Sequence, residues 1–231
     1  MSTAPGPDLA DLDRVALAAL ARVADGMALG LGTGRAAEAF IRRLGERVRG
    51  GLRVRGVPTS LRSDALAREE GIEVLALDDA PPLDIAFDGA DEVTPTLALT
   101  KGLGGALLRE RVVANEARAL IILVTPDKLV DRLGTRTHIP IEVVPFARPT
   151  VARHLAELGG TVVVRQQGGA PYFTDNQNLI LDTRFAPIER PEELDARVRR
   201  IPGVVDTGLF LGMASAVLVG EPGCVRELIA S

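Results

Sequence analysis

Short apolar runs alternate with amphipathic stretches along the first half of the chain. Residues 27–31, 52–57, 73–77, 83–87 and 120–124 have the length and composition of buried strands. Residues 8–23, 35–48, 60–70 and 106–119 carry apolar side chains at helical spacing, the first with Asp8 or Asp11 as N-cap and Gly26 just past its end. Thr125-Pro126-Asp127-Lys128 turns into a further short helix. Such repeated alternation predicts a Rossmann-like, mostly parallel sheet covered on both faces.

The pattern changes after Gly134. Strand signals at 139–144, 161–165, 178–184 and 204–210 interleave with helical ones at 149–158 and 191–200, which is the βαββαβ order of a ferredoxin-like unit. Residues 167–171 read as a polar surface turn. A strand at 216–219 and a closing helix at 223–229 return to the first unit. The expected organisation is an α/β domain over 1–133 plus 214–231, with an inserted ferredoxin-like α+β domain over 134–213.

Chemistry concentrates in residues 83–110, LDIAFDGADEVTPTLALTKGLGGALLRE. The apolar run at 83–87 stops at Asp88-Gly89-Ala90-Asp91-Glu92, crowding three carboxyls into one loop. In open α/β sheets ligands bind outside the carboxyl ends of the strands, so such a loop is expected to face a site. Residues 97–100 deliver Lys101 in the same way, followed by Gly102-Leu103-Gly104-Gly105, where glycines let backbone approach a ligand and open the next helix.

On that helix the neighbours of Glu110 at helical spacing are Ala106, Leu107, Val113, Ala114 and Ala117, all apolar. Arg111, Asn115, Glu116 and Arg118 lie on the other side. Glu110 therefore sits on the stripe that faces the sheet, where desolvation raises a carboxyl pKa and suits it to act as a general base. A glutamate buried against an arginine for structural reasons would give the same pattern.

Residues 30–34, GLGTG, join a strand to a helix N-terminus and form a ready anion site. Gly32-Thr33-Gly34-Arg35-Ala36-Ala37 also satisfies the G-x-G-x-x-A dinucleotide fingerprint. However, the next strand ends in Pro58-Thr59-Ser60 without the acidic residue that would hold a ribose hydroxyl, so a single phosphate is preferred to a dinucleotide.

Composition narrows the partners. A net charge of -4 and aromatics at 3% give neither the basic field nor the stacking platform of a nucleic-acid binder. No run is long enough to span a bilayer, and the acidic N-terminus is unlike a secretory signal; its first seven or so residues read as a frayed tail. The single Cys224 reads as a small apolar residue, and His138 and His154 lie outside the decisive stretch. No cofactor and no metal are expected, and the expected location is the cytoplasm.

The sequence resembles the A-type ribose-5-phosphate isomerases. The likeness rests on DGADE (88–92) and KGLGGALLRE (101–110) at the family's spacing, and extends to GLGTG, VPTS (57–60), TPDKLVDRLG (125–134), PIEVVPFA (140–147), TDNQN (174–178) and IPGVVDTGLF (201–210). It implies metal-independent interconversion of ribose 5-phosphate and ribulose 5-phosphate through an enediol, in a homodimer or homotetramer.

By the same resemblance Glu110 is the catalytic base and Lys101 steadies the oxyanion. Asp88 and Asp91 manage ring and hydroxyl protons, in roles the sequence leaves interchangeable; Asp91 could instead cap a helix or hold Lys101. The substrate-contacting set comprises Gly32, Thr33, Gly34, Arg35 and Ala36, Gly89 and Ala90, Gly102, Leu103 and Gly104, with Lys128 at the edge or simply on the surface.

The chain departs from the family at the phosphate loop. Ser-Thr is replaced by Arg35-Ala36, and the usual lysine of the first helix has no match near Leu12 and Asp13. Arg35 is expected to take over bidentate phosphate binding, unless it is an ordinary solvated helix residue. Leu103 replaces a family glycine. A related aldose phosphate as substrate, a sugar-phosphate sensor without turnover, and a nicotinamide oxidoreductase are the alternatives.

Overall fold

The computed structural model describes residues 9–229. The expected N-terminal tail and the Asp8 cap lie outside them. In the first half α1 (Leu9–Leu20) leads to β1 (Ala28–Leu31), α2 (Arg35–Arg49), β2 (Arg55–Pro58), α3 (Leu61–Glu69) and β3 (Glu73–Val74). There follow β4 (Ile85–Asp88), β5 (Glu92–Val93), β6 (Leu99–Thr100), α4 (Leu107–Glu116) and β7 (Leu120–Val124).

The second half holds β8 (Ile139–Val143), α5 (Arg148–Glu157), β9 (Thr161–Val164), the small hairpin β10 (Gln166–Gln167) and β11 (Ala170–Pro171), β12 (Leu179–Arg184), α6 (Pro191–Arg199) and β13 (Val204–Thr207). The chain closes with β14 (Leu209–Phe210), β15 (Ala216–Glu221) and β16 (Cys224–Ile229).

Seven strands form the central sheet in the order β16-β15-β7-β4-β1-β2-β3, and only the β15–β16 pair is antiparallel. Alternate side chains along these strands feed two separate cores. Leu29, Leu31, Phe87, Ile121, Leu123 and Leu218 face α1, α2 and α3, with the Phe40 and Phe87 rings 4.3 Å apart. Ala28, Ala86, Leu120, Ile122, Val124, Val217 and Val219 face α4, β6 and Phe210. Covering on both faces is why these strands read as unbroken apolar runs.

Gly30 fixes how closely α4 approaches. A Cβ at that position would lie 2.6 Å from Val113 Cγ1 and 2.7 Å from Ala86 Cβ. The helix that carries Glu110 therefore lies directly on the backbone of β1.

The second sheet, β13-β8-β12-β9, is antiparallel throughout, and its order is that of a ferredoxin-like unit. Val151, Leu155 and Val198 of α5 and α6 fill one face. Ile180 on the opposite face joins the core of Leu107 and Val113, so this unit is seated against α4.

Five expectations are corrected. Residues 223–229 form a strand: Glu221 and Cys224 pair across a two-residue turn in which Gly223 has φ +84°. Val225 and Leu228, three apart as on a helix, lie on opposite faces of β16 and cover opposite cores. Cys224 is exposed, not apolar filling.

The run at 204–210 splits, with Leu209–Phe210 leaving the second sheet to pair with β6. Lys101 consequently comes from a separate antiparallel sheet, β14-β6-β5, and not from a parallel strand end. The strand signal at 73–77 also shortens, since only Glu73–Val74 pair before a 3-10 turn at Leu77–Asp79.

Candidate active site

A cleft of about 290 Å³ opens at the carboxyl ends of β1, β4 and β7. Thr33, Gly34, Arg35, Ala36, Gly89, Ala90, Asp91, Lys101, Gly102, Leu103, Gly104, Glu110 and Lys128 line it, so thirteen of the residues singled out from sequence converge there. The other two, Asp88 and Gly32, lie directly beneath the lining. A Cβ on Gly32 would stand 2.4 Å from the Asp88 carboxyl, so Gly32 makes room for Asp88.

Asp88 fastens the floor of the cleft. Its Oδ1 accepts from the N–H groups of Thr33 (3.1 Å) and Gly89 (2.7 Å), and its Oδ2 is 3.1 Å from Lys101 Nζ. Lys101 also donates to Gly89 O at 2.6 Å and lies 3.3 Å from Glu110 Oε1. Asp91 Oδ2 accepts from Leu103 N–H at 3.0 Å. Glu110 Oε2 is buried with no hydrogen-bond partner among the described residues.

One ammonium thus serves three carboxyl groups. Burial, augmented by repulsion from Asp88 and Asp91, pushes Glu110 up to about 8 in spite of Lys101. Burial also raises the Asp91 pKa, against the Leu103 N–H bond and the nearby Lys101, Lys128 and Arg165. Lys101 is raised above its ordinary value because Asp88, Glu110 and Asp91 outweigh its own desolvation. It therefore stays a cation at neutral pH.

At the other end of the cleft Gly34, with φ +99°, starts α2 without a side-chain cap. The N–H groups of Gly34, Arg35 and Ala36 meet no acceptor among the described residues and are available to an anion. Arg35 is exposed and makes no ion pair among them. Thr33 Oγ1 is tied at 2.8 Å to both Thr59 and Ser60, so the end of β2 braces the glycine loop where a dinucleotide fold would need an acid. Lys128 pairs at 3.6 Å with Asp127.

Glu92, the third carboxyl of the acidic loop, turns away from the cleft. Fully buried, it accepts from the N–H groups of Gly134, Arg136 and Thr137 and anchors that turn. Conversely Leu12, Leu123, Val124 and Thr125 line the cleft without having been singled out. Thr125 directly follows β7, and the strand-end rule alone could have found it. Among the described residues no group of three or more His, Cys, Asp or Glu could hold a metal ion, and no helix is long and apolar enough to cross a membrane.

A carboxyl held near neutrality beside a buried ammonium, facing an anion site across a narrow cleft, is the equipment of an enzyme that relocates a proton on an anionic small molecule. Residues 55–223 match the family model described as ribose 5-phosphate isomerase A (phosphoriboisomerase A). Proteins named ribose-5-phosphate isomerase A from Gloeobacter violaceus and Roseiflexus castenholzii are 51% and 50% identical to this chain. They align over 90% and 93% of it and over 91% and 93% of their own lengths.

The solved ribose 5-phosphate isomerase A of Methanocaldococcus jannaschii superposes with a TM-score of 0.91 at 43% identity, covering 95% of this chain and 98% of that one. A D-ribose-5-phosphate isomerase in complex with phospho-erythronic acid superposes at 0.92 with 38% identity, over 95% and 97%. The chain belongs to the ribose 5-phosphate isomerase A family.

Proposed function

We propose that the protein interconverts D-ribose 5-phosphate and D-ribulose 5-phosphate through an enediol, as a cytoplasmic enzyme of the non-oxidative pentose phosphate pathway. The observation that carries this reading is Glu110: a buried carboxyl on an apolar helix face, one oxygen against Lys101 and the other without a partner among the described residues.

In the open-chain sugar Glu110 removes the proton from C2. The electron pair of that C–H bond becomes the C1–C2 double bond while O1 takes up a proton. The enediol collapses when Glu110 returns its proton to C1 and O2–H loses its own, leaving the C2 carbonyl. Lys101 is 2.6 Å from Gly89 O and close to both Asp88 and Glu110, a position from which its charge steadies the oxyanion. Asp91, whose burial favours its protonated form, serves the ring oxygen and hydroxyl protons. Asp88, behind the lining and saturated by donors, holds Lys101 and Thr33 in place.

Phosphate is taken at the N-terminus of α2, by the N–H groups of residues 34–36 with Arg35, and Lys128 closes the edge. No metal is required, and dialysis against EDTA is expected to leave turnover unchanged. The chain divides into residues 1–133 plus 214–231 and residues 134–213, and works as a homodimer or homotetramer; Phe146, 95% exposed, and Val163 on the second unit support a contact there. Following ketose formation from ribose 5-phosphate by purified protein tests the activity, and absence of turnover would refute it.

A further inference from the structure

Arg165 directly follows β9 in the second unit, far along the chain from Glu110, yet its guanidinium reaches the glycine loop of the cleft. Nε and Nη2 donate to the two oxygens of Asp182 at 2.9 and 2.5 Å. Nη1 donates to Gly102 O and to Leu103 O, both at 3.0 Å. The side chain is 12% exposed. Asp182 holds one edge of the planar fork, and the other edge grips two successive peptide groups.

In a trans peptide the C=O and N–H bonds point in opposite directions, and no cis bond is found among the described residues. Drawing the carbonyls of Gly102 and Leu103 toward Arg165 therefore turns the N–H groups of Leu103 and Gly104 the other way. The first meets Asp91 at 3.0 Å. The second has no acceptor among the described residues, on a residue that lines the cleft. Gly102, with φ +99°, permits the turn.

We infer that Arg165 is a positioning residue of the active site, locking the 102–104 loop so that one N–H orients Asp91 and the next is presented to the oxygen that becomes negative during proton transfer. The inference rests on the isomerase reading above. Lysine cannot replace it, because a point cation with rotating donors does not span a carboxylate and two carbonyls at once.

The test compares wild type with Arg165→Lys and Arg165→Met for turnover of ribose 5-phosphate, and by calorimetry for binding of phospho-erythronic acid and of inorganic phosphate. The planar carboxylate of phospho-erythronic acid stands in for the enediol oxygens. Losing one aligned donor at a developing oxyanion costs roughly a hundredfold or more; misalignment is expected to cost about ten- to a hundredfold in kcat, with KM within about twofold. Affinity for phospho-erythronic acid should fall with it while that for inorganic phosphate holds.

Wild-type kcat and wild-type phospho-erythronic acid affinity in a folded variant would overturn the inference. So would parallel loss of both ligands, which marks a merely structural role. Should the methionine variant fail to fold, the lysine variant decides alone. Wild type without turnover would instead refute the isomerase reading, and the two binding measurements would still report on Arg165.

Discussion

Lys101 Nζ lies 3.3 Å from Glu110 Oε1, with the two side chains 3% and 5% exposed. A lone buried pair of this kind would settle as an ion pair, but Asp88 and Asp91 compete for the same ammonium. Burial beside those two carboxyls raises the proton affinity of Glu110, so that near neutrality it can both take a proton from carbon and return it.

The pH dependence follows directly. Glu110 acts as base only when ionised, and its pKa is pushed up to about 8. In the free enzyme kcat/KM for ribose 5-phosphate should rise about tenfold per pH unit well below that value and level off above it. A profile flat from pH 6 to 9 would contradict the assignment.

Stability should move the opposite way. The folded-state pKa of Glu110 lies above its ordinary value of 4.5, so the fold favours the neutral form. Its stabilising contribution is complete below about 4.5 and is lost as pH rises through about 8. In urea titrations Glu110→Gln should gain on wild type steadily between pH 5 and about 8, and the difference should level off above that. A constant difference across that window would show that Glu110 does not titrate there.

The proposed phosphate role of Arg35, which lines the cleft at the start of α2, is open to a direct test. A charge-assisted hydrogen bond of about 1.5–3 kcal/mol corresponds to a KM increase of roughly tenfold or more in Arg35→Ala, with kcat little changed. Added salt should weaken the wild type more than the variant. An unchanged KM discards the role.

Gly30 tests the scaffold apart from the chemistry. Alanine there meets Val113 and Ala86 at under 3 Å and must lift α4 from the sheet, costing about 1–3 kcal/mol. Chemical denaturation should report that loss, together with a fall in kcat as Glu110 shifts. Wild-type stability in Gly30→Ala would mean that α4 has slack.

Most of this site was legible because its parts announce themselves locally. Apolar runs ending in DGADE, glycines before a helix, and Glu110 among alanines and leucines each state a physical oddity within a few residues. What escaped depends on distance along the chain or on ambiguous spacing. The Val225–Leu228 spacing suits a helix, and only the pairing with β15 reveals that the two side chains serve opposite cores. Nothing near Glu92 says that it holds the turn at 134–137 instead of facing the cleft. Arg165 is an unremarked arginine at the end of a strand until the fold brings it to Gly102.

The different placement of the two aspartates of the acidic loop emerges only in the fold. Asp88 and Asp91 are equivalent in sequence. In space Asp88 lies under the lining with its oxygens occupied, whereas Asp91 lines the cleft. Asp88→Asn should accordingly disturb Lys101 and lower kcat.

The most direct test of Glu110 as the base is incubation with ribose 5-phosphate in heavy water, following ketose by absorbance and deuterium at carbon by NMR. Wild type should form ribulose 5-phosphate and incorporate deuterium. Glu110→Gln should lose both by roughly two to four orders of magnitude while still binding substrate. Undiminished turnover and exchange in that variant would contradict the assignment outright.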